Sequence, residues 1–323
     1  MIALGRKAGK NARLAAGVFF LAVLQACANL VPQTSALLEG MPEGLPLRVE
    51  LTEVPFFSQS EYQCGPAALA TLLVNAGVNT TPEALVPQVY LPARKGSLQI
   101  EMLAAARRHG LVSYQLAPSF TDLMRELNAG TPVIVLQNLG MFEGWHYAVA
   151  VGYDYKLGML ILRSGVTERE EMPFGVNEWV WKRSGYWAMV AVPPDRIPVT
   201  AEESRWLSSL VAFERLNQPS KNRAGYEAFL KRWPGNVNAA IGLANAYHAL
   251  GELPQAEAAL RRALARSPDS VVVLNNLAQT LSDQGRNGEA LPLIERAASA
   301  GGPHAAAVAE TRQTILDRMQ KKN

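Results

Sequence analysis

The chain has 323 residues, of which 49% are hydrophobic and 18% are charged, and its formal net charge is +3. Four of its 31 basic residues precede residue 27, so the remainder carries 27 basic and 28 acidic residues, a net charge of −1. This balance excludes a basic surface for nucleic acid, and no basic stripe with interleaved aromatic residues is present. The length after residue 26 is enough for one large domain or two ordinary ones.

Residues 1–26 have the composition of a bacterial export signal. A basic start precedes an apolar stretch from Leu14 to Leu24, which is too short for an ordinary membrane-spanning helix. The following Gln25-Ala26-Cys27 resembles the end of a lipobox, which implies that Cys27 is lipidated after cleavage before it. Ala28 stands where an aspartate would indicate inner-membrane retention, so we expect a lipoprotein of the outer membrane that faces the periplasm. The alternative is an ordinary secretion signal that ends near a cysteine.

Residues 27–47 are rich in proline and glycine and are predicted to be a tether. From residue 48 to 198, helices come first and antiparallel strands follow, a pattern that indicates an α+β domain. Helices are expected at 64–76, after Thr81, at 97–109, at 121–128 and at 179–182, and strands at 48–57, 133–137, 144–153, 159–162 and 186–192. The strands at 133–137 and 144–153 are apolar on both faces, as central strands are.

From residue 199 to 323 the chain is rich in alanine and leucine and carries an internal repeat with an offset of 34 residues. Seven small or apolar positions between Leu243 and Ala263 recur between Leu277 and Ala297. This spacing resembles the tetratricopeptide repeat, in which each unit is a pair of antiparallel helices. A degenerate first repeat is predicted at 203–236. A generic bundle of helical hairpins is the alternative fold, and the role is either a stabilising cap or recognition of a protein partner.

The sequence around Cys64 predicts a nucleophile at the start of a helix. Pro66 fits the first helical turn, and the helix dipole is expected to favour the thiolate form of Cys64. If Cys27 carries lipid, Cys64 has no disulfide partner, and an unpaired thiol in an oxidising compartment is either buried or used. A cysteine nucleophile needs a base. His146 opens an apolar strand and is the candidate, whereas the other three histidines have positions typical of surface or packing residues.

Three segments together look like the papain-like family of cysteine peptidases that removes double-glycine leaders from bacteriocins, and like the stand-alone relatives of that family. They are Val54–Gln59, Cys64–Leu69 and His146–Asp154. The resemblance covers about residues 48–195 and implies a papain-like fold, with helices packed on an antiparallel sheet. It also implies that Cys64 is the nucleophile, His146 the general base and Gln59 the side-chain donor of the oxyanion hole.

Two features depart from the family's pattern. Gln59 stands five residues before Cys64, where six is usual. About 17 residues after the histidine, where the family generally has Asp or Asn to orient the imidazole, this chain reads Leu162-Arg163-Ser164-Gly165. Ser164 would accept the imidazole N–H only weakly, and Asp154, in the predicted turn, is the charged alternative. A weak orienting residue lowers the rate of such an enzyme without abolishing it.

Three functions follow from these residues. The first is a lipoprotein cysteine peptidase that hydrolyses peptide bonds, with the helical repeats recruiting substrate or a partner protein. The second is a related acyl transferase or amidase acting on cell-wall peptide, and the third is an inactive peptidase-like module that serves as a binding adaptor. No histidine pair or acidic cluster has the spacing of metal ligands, so no metal or other cofactor is expected. The expected partners are a peptide or protein substrate, a protein on the repeats, and the membrane through the lipid.

Overall fold

The computed structural model describes residues 30–59, 63–140 and 144–321. The predicted export signal and Cys27 lie outside these residues. Two compact units are present: one comprises residues up to 105 together with 115–190, and the other comprises 106–114 together with the chain from 191 onward. Within the described ranges, no helix is long and apolar enough to cross a membrane.

The first part of the chain alternates short helices and strands. The helices are α1 (Pro32–Glu39), α2 (Cys64–Asn75), α3 (Pro82–Val89), α4 (Gln99–Arg108), α5 (Phe120–Asn128) and α6 (Phe174–Trp181). The strands are β1 (Arg48–Glu50), β2 (Tyr90–Leu91), β3 (Gly96–Ser97), β4 (Val112–Gln115), β5 (Val133–Asn138), β6 (Trp145–Asp154), β7 (Met159–Ser164), β8 (Thr167–Pro173) and β9 (Ala188–Val192). The expected helices and central strands are therefore present, although the helix predicted at 97–109 begins at Gln99 because Ser97 belongs to β3. Strands β2, β3, β4 and β8 were not predicted from the sequence pattern.

Seven strands form one sheet in the order β4-β9-β5-β6-β7-β8, with β1 paired to β6. The pairs of β6 with β5, β7 and β1 are antiparallel. β6 is the longest strand, and its first residue, Trp145, lies opposite Asn138, the last residue of β5. The sheet is therefore organised around β6, whose start carries His146.

Both faces of this sheet are covered by other segments of the chain. Gln137 Nε2 donates a hydrogen bond of 2.8 Å to Asn177 Oδ1 of α6. The neighbouring β5 residue, Leu136, lies opposite Tyr147, whose hydroxyl donates to the carbonyl of Ser97, 3.1 Å away. Successive residues of a strand face opposite sides of a sheet, so α6 packs on one face and Ser97 on the other. This two-sided burial explains why the central strands are apolar throughout.

The described part of the predicted tether is folded onto the first unit. The amide of Gln33 donates to Glu178 Oε1 at 2.9 Å, and the amide of Thr34 donates to Glu178 Oε2 at 2.6 Å. Glu178 belongs to α6 and is fully buried. The first amides of a helix have no partner within it, and a carboxylate is favoured beside them. From residue 30 onward, the segment therefore contains a docked helix, α1, where the composition predicts a flexible linker.

The regular elements of residues 203–321 are all helices. They are α7 (Glu203–Glu214), α8 (Pro219–Arg232), α9 (Val237–Ala249), α10 (Leu253–Arg266), α11 (Val271–Asp283), α12 (Asn287–Ala300) and α13 (Ala305–Gln320). The repeated apolar positions, among them Leu277, Ala278 and Ile294, pack in one buried cluster. Gly251 and Gly285, which are 34 residues apart, end the first helix of each pair with positive φ values of 74° and 78°. Glycine adopts this conformation without strain, which explains its recurrence.

Candidate active site

Cys64 is the first residue of α2 and a free thiol. The residues that follow it, from Gly65 to Leu73, are all buried. Because this apolar stretch fixes α2 in the core, the helix carries Cys64 at its outer end, where the thiol is only partly covered. Among the described residues, the N-cap residue Gln63 makes no side-chain hydrogen bond to the first turn of α2.

The surroundings of the Cys64 sulfur act on its pKa in opposite directions. Burial raises the pKa of the thiol above its ordinary value, and hydrogen bonds from the amides of Tyr147, Gly65 and Cys64 itself offset part of this increase. The amides at the start of α2 act in the direction expected for a helix N-terminus, and burial acts against them with the larger effect. A stable thiolate at Cys64 requires a cation beside it.

The structure brings Cys64 to the start of β6. Cys64 and Tyr147, the residue after His146, line the same cleft, and the amide of Tyr147 lowers the pKa of the thiol. Tyr147 lies before the first pair between β6 and β7, which joins Val149 to Arg163. The start of α2 and the start of β6 therefore meet at the end of the sheet where β6 extends beyond its pairing with β7.

His146 contacts Ser164 at the same end of the sheet. The Nε2 atom of the half-buried imidazole lies 3.1 Å from the hydroxyl oxygen of Ser164, the last residue of β7. A hydroxyl accepts a hydrogen bond from an imidazole N–H, but it stabilises an imidazolium less than a carboxylate does. The structure thus places Ser164 where an orienting group for His146 would be, with a neutral side chain.

Asp154, the charged alternative, lies at the other end of β6. It is eight residues after His146 in the same strand, a separation of about 26 Å along an extended chain. Its Oδ1 accepts a hydrogen bond of 3.0 Å from the amide of Leu157 in the turn before β7. The structure does not bring Asp154 to the imidazole.

Gln59 reaches the site through its backbone. Its amide donates to the carbonyl of Gly165 at 3.1 Å, and Gly165 directly follows Ser164. Residues 60–62, which connect Gln59 to the start of α2, lie outside the described residues. The segment before the cysteine is therefore attached to the turn beside Ser164, and the role of the Gln59 side chain as an oxyanion donor stays a prediction.

A cleft of about 550 Å³ opens beside Cys64. Its lining comes from the segment 94–99, which contains β3, from Leu136 of β5, and from Gly144, Trp145 and Tyr147. Trp145 is 56% exposed at the rim. Mostly apolar walls with a few polar groups are typical of sites that bind small ligands or side chains of peptides.

The sequence did not single out Ser97 and Tyr147, which form one side of this cleft. The Ser97 hydroxyl is buried and, among the residues described, has no hydrogen-bond partner. Gly65 permits this close approach, because a Cβ atom at that position would overlap the Ser97 side chain. The available signal was the glycine directly after the cysteine, since glycine often marks a place where another segment approaches the backbone.

Metal ligands do not come together in the described part of the chain: no group of three or more His, Cys, Asp or Glu side chains is arranged to hold an ion.

Two family models match the chain. Residues 51–188 match the Peptidase_C39 like family, and residues 237–301 match a tetratricopeptide repeat model. The protein therefore contains a C39-like peptidase domain, with helices on an antiparallel sheet, followed by a helical region of tetratricopeptide repeats. This confirms the predicted fold class. Sequence comparison with curated proteins gives no match.

Solved structures of both kinds resemble parts of the chain. A C39-like peptidase from Bacillus anthracis is 17% identical with a TM-score of 0.38, over 45% of this chain and 97% of that one. A double glycine motif protease from an AMS/PCAT transporter, in complex with the leader peptide, is 20% identical with a TM-score of 0.33, over 43% and 91%. The TPR2B domain of yeast Sti1, in a pHsp70 complex, is 16% identical with a TM-score of 0.34, over 36% and 97%. These scores are too low to support an argument.

Proposed function

We propose that this protein is a cysteine peptidase that hydrolyses peptide bonds through Cys64 and His146. The observation that carries the proposal is the shared cleft: Cys64 lines it together with Trp145 and Tyr147, the two neighbours of His146 in β6. Ser164 supports it by contacting the imidazole, and the cleft beside Cys64 offers room for a peptide. The C39-like domain is consistent with the same chemistry.

The reaction follows from the roles of these groups. Because Nε2 of His146 contacts Ser164, Nδ1 is the ring nitrogen that would exchange a proton with the thiol of Cys64. The resulting thiolate attacks the peptide carbonyl, and the oxyanion is stabilised by the Gln59 side chain and by an amide at the start of α2. Collapse of the intermediate expels the amine, which takes the proton from the imidazolium and leaves a thioester on Cys64. A water molecule, deprotonated by His146, then hydrolyses the thioester and restores the thiol.

The surroundings of Cys64 make the imidazole essential in this scheme. Burial keeps the sulfur protonated on its own at neutral pH, since it raises the pKa of the thiol. An imidazolium at His146 would favour the thiolate, and Ser164 would hold that imidazolium less firmly than a carboxylate. We therefore expect a slow enzyme.

An inactive peptide-binding domain is the second candidate, and the same two observations favour it. Burial raises the pKa of the Cys64 thiol, and a serine occupies the orienting position at 164. In that case the cleft would hold a peptide without cleaving it, and the repeats would connect it to a partner as an adaptor.

A thiol-reactive peptidase probe separates these two candidates. The peptidase should be labelled at Cys64 near neutral pH, and Cys64→Ala should abolish the labelling. His146→Ala should slow the labelling by more than about ten-fold, because the thiolate then loses its counter-ion. Equal labelling rates in wild type and His146→Ala would favour the adaptor.

We propose further that Cys27 carries lipid and anchors the protein to the outer membrane, facing the periplasm. The support is the resemblance of Leu24–Cys27 to a lipobox. Tetratricopeptide repeats mediate protein–protein contacts, so the second unit would recruit the substrate or a partner protein. Incorporation of labelled palmitate that is lost in Cys27→Ala would support the anchor, and equal incorporation in both proteins would contradict it.

A further inference from the structure

An exposed side of α6 carries apolar and cationic side chains close to the place where the chain enters the first unit. Leu30, Val176 and Trp179 are 50%, 50% and 42% exposed, and Lys182 and Arg183 follow the helix in a 3-10 turn. These five residues form the interfacial patch. Tryptophan and aliphatic side chains bordered by cations are typical of surfaces that lie at the membrane–water boundary.

Helical spacing groups two of these side chains: Val176 and Trp179 are three residues apart in α6, which places both on one side of the helix. Arg183, in the turn that follows, reaches the same side by contacting Trp179. The guanidinium carbon of Arg183 lies 3.7 Å from the centre of the Trp179 ring. Cation and aromatic ring therefore stack at the surface.

On the adjacent side of α6, hydrogen bonds attach the segment that begins at Leu30. Lys182 Nζ donates a hydrogen bond of 2.7 Å to the carbonyl of Leu30, and Glu178 accepts the first amides of α1. Leu30 is thereby fixed beside the patch. Cys27 is three residues earlier in the sequence, and three residues reach at most about 11 Å. A lipid on Cys27 would therefore place a membrane surface next to Leu30.

Both cations of the patch bond to neutral oxygens. Lys182 donates to a backbone carbonyl, and Arg183 donates to the backbone and side-chain oxygens of Asn138 at 3.2 and 3.5 Å. Because these acceptors carry no charge, they do not neutralise the positive charges of Lys182 and Arg183. Cations at a bilayer surface are attracted by anionic headgroups, so charge and apolar character favour the same occupant.

We infer that the interfacial patch lies on the phospholipid surface in which Cys27 is anchored and holds the peptidase domain against the membrane. The inference rests on the lipid anchor of the proposed function. Asn138, which binds Arg183, is paired with Trp145 at the rim of the cleft. The cleft therefore opens at the end of the sheet nearest the patch, and the substrate is a peptide segment presented close to the membrane surface.

Quenching of tryptophan fluorescence by brominated phospholipids tests the inference on the full lipidated chain, reconstituted in vesicles of phosphatidylethanolamine and phosphatidylglycerol. Trp179→Phe should reduce the quenching at least about two-fold, because this ring would lie nearest the acyl chains. Val176→Asp should have a similar effect by moving the patch away from the lipid. Ile100→Asp is the matched control: Ile100 is 65% exposed, and α4 follows β3, on the face of the sheet opposite α6.

The outcomes distinguish the patch from the anchor. If the protein sediments with the vesicles and neither Trp179→Phe nor Val176→Asp changes the quenching, the patch does not face the lipid and the anchor stands. If the wild-type protein does not sediment with the vesicles, the anchor is rejected and the patch with it. An equal effect of Ile100→Asp would place a different face on the membrane and overturn the inference. The activity of Cys64 has no bearing on any of these results.

Discussion

The hydroxyl of Ser164 allows a direct test of the proposed mechanism, because it contacts the His146 ring at 3.1 Å. Ser164→Ala removes this contact, and Ser164→Asp replaces it with a charged one. A hydrogen bond between neutral groups contributes about 1 kcal/mol, and one to a charged group about 1.5–3 kcal/mol. Because about 1.4 kcal/mol corresponds to ten-fold in rate, Ser164→Ala should slow alkylation of Cys64 about five-fold, and Ser164→Asp should accelerate it about two- to thirty-fold.

The pH dependence of the same reaction has a defined sign. A carboxylate beside an imidazole favours its protonated form. The thiolate–imidazolium pair persists until the imidazolium loses its proton, so Ser164→Asp should extend the reactive range to higher pH and Ser164→Ala should shorten it. At still higher pH the thiol of Cys64 ionises without an imidazolium beside it. The alkylation rates of wild type, Ser164→Ala and Ser164→Asp should then converge.

Alkylation by iodoacetamide, followed by mass spectrometry of the peptide that contains Cys64, measures this rate without a known substrate. Thr167→Asp is the matched control. Thr167 is exposed and lies opposite Ser164 across the β7–β8 turn, so the variant adds the same charge without replacing the partner of His146. It should leave the rate within about two-fold of wild type. Identical pH profiles for wild type, Ser164→Ala and Ser164→Asp would refute the pairing of Cys64 with His146.

Three further substitutions test the close contact at Gly65, the raised pKa of Cys64 and the contact between Glu178 and α1. Gly65→Ala forces a methyl group against Ser97 and should destabilise the fold by about 1–3 kcal/mol in urea denaturation; unchanged stability would contradict the close approach. Burial raises the pKa of the Cys64 thiol, so as the pH rises the unfolded chain loses this proton before the folded protein does. The free energy of unfolding should therefore decrease above about pH 8.5 in wild type, and it should decrease less in Cys64→Ala. Equal alkaline slopes would contradict the raised pKa. Glu178→Ala leaves the first amides of α1 unpaired and should speed hydrogen exchange in residues 32–39 by at least about ten-fold; unaltered exchange would show that Glu178 does not hold α1.

Much of the fold could be predicted because its signals are local. The apolar run after Cys64 forms the helix α2 as expected, and Thr81 caps the next helix by accepting the Ala84 amide at 3.4 Å. The 34-residue period marked the helix pairs, since Gly251 and Gly285 occupy equivalent turns with positive φ. Periodicity and caps act within a few residues, so the sequence shows them directly.

The unpredicted strands have a different origin. Strand β8 reads Thr-Glu-Arg-Glu-Glu-Met-Pro and is mostly exposed, so it has no apolar alternation to detect. It is held by backbone pairing with β7, from Met159–Pro173 to Ser164–Thr167. The predicted strand at 48–57 is limited to Arg48–Glu50 for a similar reason, because only these residues find a partner, in β6. Which strands pair with one another depends on the tertiary structure, so a local sequence pattern does not reveal these strands.

The types of residue at the candidate site could be predicted from the sequence, but the direction of the Cys64 pKa shift could not. A thiol before a buried helix and a histidine at the start of a central strand were visible in the sequence, and the structure brings Cys64 to the residue after His146. The direction in which the pKa of Cys64 moves was not visible. It depends on how deeply the sulfur is buried, and the Gly65–Ser97 contact that closes this side of the cleft joins segments about 30 residues apart.

The start of the chain shows how such long-range contacts bear on function. Residues 27–47 have the composition of a linker, but α1 is fixed by Glu178, a residue more than 140 positions later. A flexible linker of that length would let an anchored peptidase reach substrates well away from the membrane. If Cys27 carries the proposed lipid, the lipid lies within about 11 Å of Leu30, which Lys182 holds beside α6, and this would restrict the cleft to peptides close to the bilayer. If the protein is an anchored enzyme as proposed, the contact between Glu178 and α1 would therefore limit the substrates within its reach, independently of the chemistry at Cys64.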